Sequence, residues 1–180
     1  EFAPYDYTQE NPTRMLWFFE GFTSYYDDQF LLRTGLIDTP TYLKLLTKTI
    51  QQVLQTPGRT LQTVAQASFD AWVKFYRQDE NTPNATVSYY TKGALVALCL
   101  DLALRREGRS SLDEVMRALW QRTGGGPMDE AALRAVLQEL GGRPFDTEID
   151  TWVHGTGELP LEALLAAHGI TLQPQAPQPA

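Results

Sequence analysis

The sequence predicts an all-α fold, a bundle of several helices. Apolar residues recur at helical spacing along most of the chain, glycines and prolines separate these segments, and strand patterns are nearly absent. Only residues 170–172 form a short alternating run. The 180 residues are 43% apolar and 21% charged, which is enough apolar material for a real core.

The first predicted helix contains the most unusual segment of the chain, residues 16–28. Asn11-Pro12 supplies a capping residue and a proline suited to a first helical turn, and Gly35 can end the helix in the left-handed conformation. At helical spacing, Glu20 falls on or near the same face as a set of apolar residues, namely Leu16, Phe19, Phe30 and Leu31.

A carboxylate that faces inward needs a partner. Burying an unpaired charge is costly, so the usual solutions are a cation, a network of donors or a metal ion. From the residues alone, Glu20 could pair with Arg14 or with Lys92, or could lie at the rim of the apolar face.

The middle of the chain predicts three further helical regions. Thr39-Pro40 begins a clear helix that ends before Pro57-Gly58. Residues 60–76 suit one broken helix or two short ones, and residues 79–85 form a polar loop. Residues 88–106 are apolar on almost every side, which is typical of a helix enclosed by others.

The last third predicts three or four amphipathic helices. Ser110 or Ser111, followed by Asp113 or Glu114, gives a start resembling a capping box. The predicted buried face of that helix consists of Leu112, Val115, Met116, Leu119 and Trp120. Helices over 129–140, 145–153 and 161–168 follow, and His154 and His168 lie near helix ends, where a polar or positive group is common.

Composition argues against two classes of partner. The net charge is −7 and no basic cluster occurs, so electrostatics disfavour nucleic acid. No apolar run approaches the roughly 20 residues that a membrane-spanning helix needs. The single cysteine, Cys99, lies in an apolar run and is expected to be a buried thiol.

Two segments carry a resemblance to known enzymes. Residues 17–22 contain Trp, two residues and then Glu-Gly-Phe, which resembles the helix that supplies the third zinc ligand in aminopeptidases of the aminopeptidase N type. The longer stretch 16–37 is similar to the glycyl aminopeptidase family, whose members carry a PDZ module. Tyr90-Thr91-Lys92-Gly93 resembles a Tyr-x-Lys-Gly segment that both families share, and the likeness extends over about residues 2–172.

This resemblance implies a fold and a division of the chain. Residues 1–106 would be the helical back half of a thermolysin-like catalytic domain, and residues 107–172 a helical extension packed on it. Residues 173–180, rich in Pro and Gln, would be an extended linker towards a PDZ module.

The resemblance also implies a zinc site with Glu20 as its third ligand. The other two ligands and the general base would come from a His-Glu-x-x-His helix. The chain contains only His154 and His168, and neither lies in that motif. We therefore expect the chain to be a fragment that is inactive and retains no zinc by itself, because one carboxylate cannot hold a catalytic zinc ion.

The second candidate residue is Tyr90. By resemblance, its phenol would donate a hydrogen bond to the oxygen on which negative charge develops during peptide hydrolysis. Tyr89 is an alternative, because the doubled Tyr leaves the register uncertain by one residue. From the residues alone, both could be buried aromatics with satisfied hydroxyls. We expect Glu20 and Tyr90 to lie close together at an open concavity.

Further expectations concern partners. The parent enzyme would remove amino-terminal Gly or Ala from peptides, in the periplasm or the cytoplasm. Its partners would be the upstream catalytic half and the PDZ module of the same chain. Apolar surface around Phe18, Phe22 and Tyr26 would be exposed and favour self-association. Thr23, Ser24 or Asp27 could orient a histidine at the metal. The alternative interpretation is a free-standing helical interaction domain without catalysis.

Overall fold

A computed structural model describes residues 5–173, and this part of the chain is helical without strands. Its helices are α1 Leu16–Arg33, α2 Thr39–Gln55, α3 Val64–Phe69, α4 Thr82–Ala85, α5 Thr91–Arg106, α6 Leu112–Thr123, α7 Glu130–Gly141, α8 Asp146–Trp152 and α9 Leu161–Ala166. A 3-10 turn at Pro57–Thr60 and a π turn at Ala71–Phe75 lie between them. The predicted all-α class is confirmed. The predicted linker falls, except for Gln173, outside the described residues.

Helix α5 is the centre of the molecule. Every residue from 92 to 104 is buried, as its apolar sequence predicted. Burial raises the pKa of the Cys99 thiol to about 12, so this cysteine stays protonated at neutral pH. One hydrophobic cluster includes side chains from α1, α5, α6, α7 and α9, and the predicted division at residue 106 stays a prediction.

The face of α1 that packs on α5 differs from the predicted one. The buried residues are Trp17, Phe18, Gly21, Phe22 and Tyr25. The four apolar residues predicted to face the core are only half-buried or are exposed, namely Leu16, Phe19, Phe30 and Leu31. The prediction was wrong because apolar side chains occur on several sides of α1, and its backbone contact with α5 selects the buried side.

That contact joins two glycines. A Cβ atom added to Gly21 would lie 2.6 Å from the Cα atom of Gly93, and one added to Gly93 would lie 2.6 Å from the carbonyl oxygen of Trp17. Real Cβ atoms do not approach backbone so closely, because packed interiors have no spare volume for a methyl group. The crossing of α1 and α5 therefore requires glycine at both positions.

The ends of α1 and α2 are partly as predicted. Helix α1 begins at Leu16 and not at Asn11-Pro12, because the Asn11 side chain is hydrogen-bonded to Asp6 and Gln9 in the preceding segment. The Trp17 N–H, in the first turn of α1, donates to Ser68 Oγ of α3 at 2.9 Å. Gly35 has a φ of 73° after the end of α1, as predicted. Asp38, not Thr39, caps α2.

A buried carboxylate joins three helices. Asp101 in α5 accepts hydrogen bonds from the Tyr25 hydroxyl at 2.8 Å, from Arg105 Nε at 2.8 Å and from the Leu112 N–H at 2.7 Å. Asp101 is only 5% exposed. Its partners come from α1, α5 and the first residue of α6, so Asp101 fixes how these helices meet.

The last third confirms the predicted capping box and corrects the predicted buried face of α6. Ser111 and Glu114 form the box, while Met116 is half-buried and Trp120 is 68% exposed. The indole of Trp120 lies over the turn after α6, since a Cβ added to Gly125 would lie 2.7 Å from it. None of the helices within residues 5–173 is long and apolar enough to cross a membrane.

We expect Gly21→Ala to lower the free energy of unfolding by about 1–3 kcal/mol, because the added methyl group pushes α1 away from α5. Urea unfolding followed by circular dichroism measures this change. Gly157→Ala is the matched control, because a Cβ there meets nothing within 4 Å, and it should change stability by less than about 0.5 kcal/mol. Equal stabilities of the two variants would contradict the glycine contact.

We expect Asp101→Ala to lower the free energy of unfolding by about 2–4 kcal/mol, because the Tyr25 hydroxyl and the Leu112 N–H lose a buried acceptor. Asp150→Ala is the control. Asp150 also pairs with an arginine, but its side chain is 65% exposed, and exposed pairs contribute about 0–1 kcal/mol. A loss in Asp101→Ala no larger than in the control would show that the network is not needed.

Candidate functional site

Glu20 lies half-buried in α1, immediately before the glycine that contacts α5. Within residues 5–173 its carboxylate makes no hydrogen bond and no ion pair. The two cations considered as partners are engaged elsewhere. The Arg14 guanidinium lies 4.7 Å from the centre of the Phe69 ring, and Lys92 is buried with its Nζ 3.4 Å from the Arg59 carbonyl oxygen.

Burial lowers the pKa of Lys92, and the negative charge of Glu158 opposes this shift. Lys92 therefore lies against the turn that contains Arg59. Within residues 5–173 it forms no ion pair, so it does not pair with Glu20.

Glu20 lines a cavity of about 360 Å³. The other lining residues come from the segment before α1, from α1 itself, from α3 and its following π turn, and from the segment before α5. They are Tyr5, Asn11, Thr13, Leu16, Ser68, Ala71, Trp72, Tyr76 and Tyr89. Among these residues Glu20 is the charged one, so the cavity carries negative potential.

The two tyrosines before α5 lie beside this cavity. Tyr89 is 1% exposed and Tyr90 is half-buried. Their rings stack with centres 4.8 Å apart. Phe75 of the π turn packs against Tyr89 at 4.8 Å and against Tyr90 at 5.6 Å. These contacts hold both phenols in place next to α1.

The phenol of Tyr90 is affected by Glu20. Burial, the neighbouring Tyr76 hydroxyl and the charge of Glu20 raise the pKa of Tyr90 to about 12. Burial and the Tyr76 hydroxyl likewise raise the pKa of Tyr89. Both phenols therefore keep their protons at neutral pH and can donate hydrogen bonds. The charge of Glu20 therefore acts on Tyr90, but the Glu20 cavity is lined by Tyr89 and not by Tyr90. The shared concavity and the roles of both residues stay predictions.

The described residues do not fit a complete zinc site. A catalytic zinc ion needs three protein ligands, and Glu20 is one carboxylate. Residues 5–173 contain no cluster of three or more His, Cys, Asp or Glu side chains that could hold a metal ion. His154 Nε2 lies 2.8 Å from a Glu130 carboxylate oxygen, and His168 Nδ1 lies 2.9 Å from the Leu164 carbonyl oxygen.

Two residues considered as supports for a metal-bound histidine lie elsewhere. Thr23 and Asp27 line a second cavity of about 620 Å³ between α1 and α6. The Thr23 hydroxyl donates to the Phe19 carbonyl oxygen at 2.6 Å, so it is already used within α1. Ser24 is half-buried and lines neither cavity.

The apolar surface predicted to be exposed around Phe18, Phe22 and Tyr26 is largely buried. Phe18 and Phe22 are 3% and 2% exposed, and their rings pack against Trp17 and against each other. Tyr26 is half-buried and donates to Asp113 at 2.9 Å. The exposed aromatics on this side are Phe30 and Trp120. Self-association through this side stays a prediction.

Sequence reasoning missed Trp72 and Tyr76. Both line the Glu20 cavity and lie at or just after the π turn, with ring centres 5.9 Å apart. Their spacing of four residues is visible in the sequence, but it indicates only a helical segment within residues 60–76. They are 54% and 61% exposed.

Comparisons with known proteins identify the family of the chain. Residues 1–96 match the family M61 glycyl aminopeptidase. The chain is similar to a crystal structure of an aminopeptidase N family protein from Idiomarina loihiensis, with a TM-score of 0.92 and 39% sequence identity. The match covers 97% of this chain and 30% of that chain. A comparison with curated proteins gave no match. Because the family match covers more than half of the 180 residues, the chain belongs to the M61 glycyl aminopeptidase family.

Proposed function

We propose that this chain is the part of a zinc-dependent aminopeptidase that supplies one zinc ligand and one hydrogen-bond donor to the active site. The observation that carries the proposal is the half-buried Glu20, which has no cation partner within residues 5–173 and lies beside a protonated phenol. A helical interaction domain does not require a carboxylate without a partner beside a protonated phenol. Family membership favours the peptidase interpretation as well.

Glu20 is proposed to be a zinc ligand. The remaining ligands and the general base would come from another part of a longer protein, since this chain spans 30% of the length of the similar structure. A bound zinc ion would supply Lewis acidity and an activated water molecule there. The contact of Gly21 with α5 would hold the Glu20 carboxylate in a fixed position.

Tyr90 is proposed to donate a hydrogen bond to the substrate carbonyl oxygen as negative charge develops on it. A donor that is protonated and already fixed in position stabilises the developing charge without having to reorganise during the reaction. Tyr90 meets both conditions, because its pKa is raised to about 12 and its ring is held by Tyr89 and Phe75. Tyr89 is the alternative donor, and it is more deeply buried.

The proposed substrates are peptides with a free amino terminus that begin with Gly or Ala. The proposed partners are the remaining catalytic half and a PDZ module of the same polypeptide. This chain by itself is proposed to be inactive, because its described residues provide a single donor for zinc.

We expect Glu20→Gln in the longer protein to lose stoichiometric zinc and activity together, because a neutral amide is a poor zinc ligand. Tyr90→Phe should keep its zinc and lower kcat by about 10²–10³-fold, the usual effect of removing one donor to a developing oxyanion. Zinc is measured by atomic absorption, and activity by glycine release from Gly-peptides.

Two control variants complete that experiment. Glu162→Gln removes an exposed carboxylate of α9 and should change neither zinc content nor kcat. Tyr89→Phe should lower kcat less than Tyr90→Phe does. The reverse order would assign the donor to Tyr89, and full activity of Glu20→Gln would remove the peptidase assignment altogether.

We expect the 180-residue chain alone to bind zinc no more tightly than its Glu20→Gln variant does. A single carboxylate binds zinc only weakly in water, because a protein zinc site requires three or four ligands. Equilibrium dialysis at neutral pH measures this. Stoichiometric zinc that is lost on Glu20→Gln would contradict the proposed inactivity of the isolated chain.

A further inference from the structure

The cavity of about 620 Å³ between α1 and α6, here called the α1–α6 groove, is a concave surface with a mostly apolar lining. Phe18, Phe22 and Leu119 are buried and form its inner wall. Phe30 and Trp120 line it as well, although they are 55% and 68% exposed. A contiguous apolar surface that is open to water is typical of a site that binds another molecule or another segment.

The groove follows both helices over most of their length. Its lining residues recur every three or four positions from Phe18 to Arg33 in α1 and from Asp113 to Thr123 in α6. At a rise of about 1.5 Å per residue, these two stripes are roughly 22 Å and 15 Å long. A small ligand would fill only part of such a groove, whereas a helix of about three to four turns matches its length.

The two helices are tied together at one end of the groove. Asp113, in the first turn of α6, accepts hydrogen bonds from the Tyr26 hydroxyl and from Arg33 Nη1, each at 2.9 Å. These bonds fix α6 relative to α1. They also pair two of the four charged residues that line the groove.

The other two charged residues have opposite signs and lie on opposite walls. Asp27 on α1 and Arg117 on α6 are exposed, and within residues 5–173 neither forms an ion pair. An occupant with charges of both signs would complement them, with a basic residue towards α1 and an acidic residue towards α6. Such charges on either side of an apolar face are typical of an amphipathic helix.

The groove begins beside Glu20. Phe19, the residue before Glu20, and Thr23, one turn later in α1, both line it. Packed helices have axes about 8–10 Å apart, so a helix that lies in the groove would pass next to the Glu20 carboxylate. The match to the similar structure covers 30% of that chain, and a longer polypeptide of that size has residues that could supply such a helix.

A second copy of this chain fits the groove less well. In a two-fold dimer the same surface of each copy meets, so the groove of one copy would face the groove of the other. Two concave surfaces leave space between them, whereas well-packed interfaces are as dense as protein interiors. The occupant must protrude, as a helix does.

We propose that the α1–α6 groove binds an amphipathic helix of the same, longer polypeptide. Its apolar face would cover Phe30 and Trp120, and its charged residues would pair with Asp27 and Arg117. That a longer polypeptide supplies the helix rests on the proposed function, whereas the need for an occupant rests on the lining of the groove. The docked helix would hold the other part of the enzyme next to Glu20.

Cysteine labelling in the longer protein and in the 180-residue chain tests this inference. Thr23→Cys places a thiol in the groove, and Cys99 is 0% exposed and does not compete for the reagent. Thr47→Cys in α2 is the matched control. Both threonines are exposed helical residues, and each hydroxyl donates to the carbonyl four residues earlier.

We expect the Thr23→Cys thiol to react with a maleimide at least about tenfold more slowly in the longer protein, because the docked helix must open before the reagent can enter. Thr47→Cys should react at similar rates in both proteins. Peptide mass spectrometry locates the label, and the 180-residue chain is labelled at a dilution at which light scattering shows a monomer. Equal Thr23→Cys rates in the two proteins would overturn the proposal.

Two further measurements identify the occupant. Protection of Thr23→Cys should not depend on the concentration of the longer protein, and protection that is lost on dilution would assign the groove to a second copy instead. A photoreactive benzoylphenylalanine in place of Trp120 should crosslink to one peptide of the same polypeptide outside the 180 residues. Crosslinks confined to the 180 residues would contradict the docked helix.

The charge match has its own test. Adding Arg117→Glu to the Thr23→Cys variant of the longer protein should speed labelling by about 2- to 10-fold, because the acidic residue of the docked helix would then meet a like charge. Lys48→Glu, at an exposed lysine of α2, is the control and should leave the rate unchanged. Equal rates in Arg117→Glu and Lys48→Glu would overturn the proposed pairing with Arg117.

The result separates this inference from the proposed function. Fast labelling of Thr23→Cys in a longer protein that is active and contains zinc would overturn the docked helix alone. Slow labelling together with full activity of Glu20→Gln would keep the docked helix and overturn only the peptidase assignment.

Discussion

The contact between Gly21 and Gly93 is the constraint on which the rest of the structure depends. It lets the backbones of α1 and α5 approach until a methyl group on either residue would collide with the other helix. Glu20 is the neighbour of Gly21, and Tyr90 lies three residues before Gly93. Fixing the two glycines against each other therefore fixes the carboxylate relative to the phenol, with no direct bond between them.

This contact explains the composition of the two segments that resemble known enzymes. Each combines a residue for which we propose a chemical role with a glycine that the helix contact requires: Glu20 with Gly21, and Tyr90 with Gly93. A larger residue at either glycine would separate the helices and carry the carboxylate away from the phenol. The Asp101 network also holds α1 against α5. The Tyr25 hydroxyl of α1 donates to Asp101, which lies about two turns after Gly93 in α5.

Local signals in the sequence were sufficient for the fold class and for several helix ends. The apolar character of α5 predicted its burial, and the box formed by Ser111 and Glu114 starts α6 as expected. The buried face of α1 could not be predicted in the same way. Its apolar residues occur on several sides, and a contact with a residue 72 positions later selects one of them. The predicted burial of Trp120 was wrong because its indole packs over the turn after α6, a tertiary contact that helical spacing does not reveal.

The candidate site was predictable in its two principal residues and not in its surroundings. Glu20 and Tyr90 stand out through the segments that contain them, but the cavity beside Glu20 is also lined by Trp72 and Tyr76, which no motif marks. Their position depends on a π turn, a backbone feature that hydrophobic spacing does not reveal.

The state of Glu20 distinguishes the two interpretations of the chain. In a self-contained helical domain, a half-buried carboxylate is stabilised by a cation or by donors, as Asp101 is by Arg105, Tyr25 and the Leu112 N–H. Glu20 has neither within residues 5–173, although Arg14 precedes it in the sequence and Lys92 is next to Gly93, the glycine that contacts Gly21. Glu20 therefore differs from Asp101 in having no protein partner among the described residues, and its charge helps to raise the pKa of Tyr90. This difference favours the proposed role of Glu20 as a ligand-binding group over a role in packing.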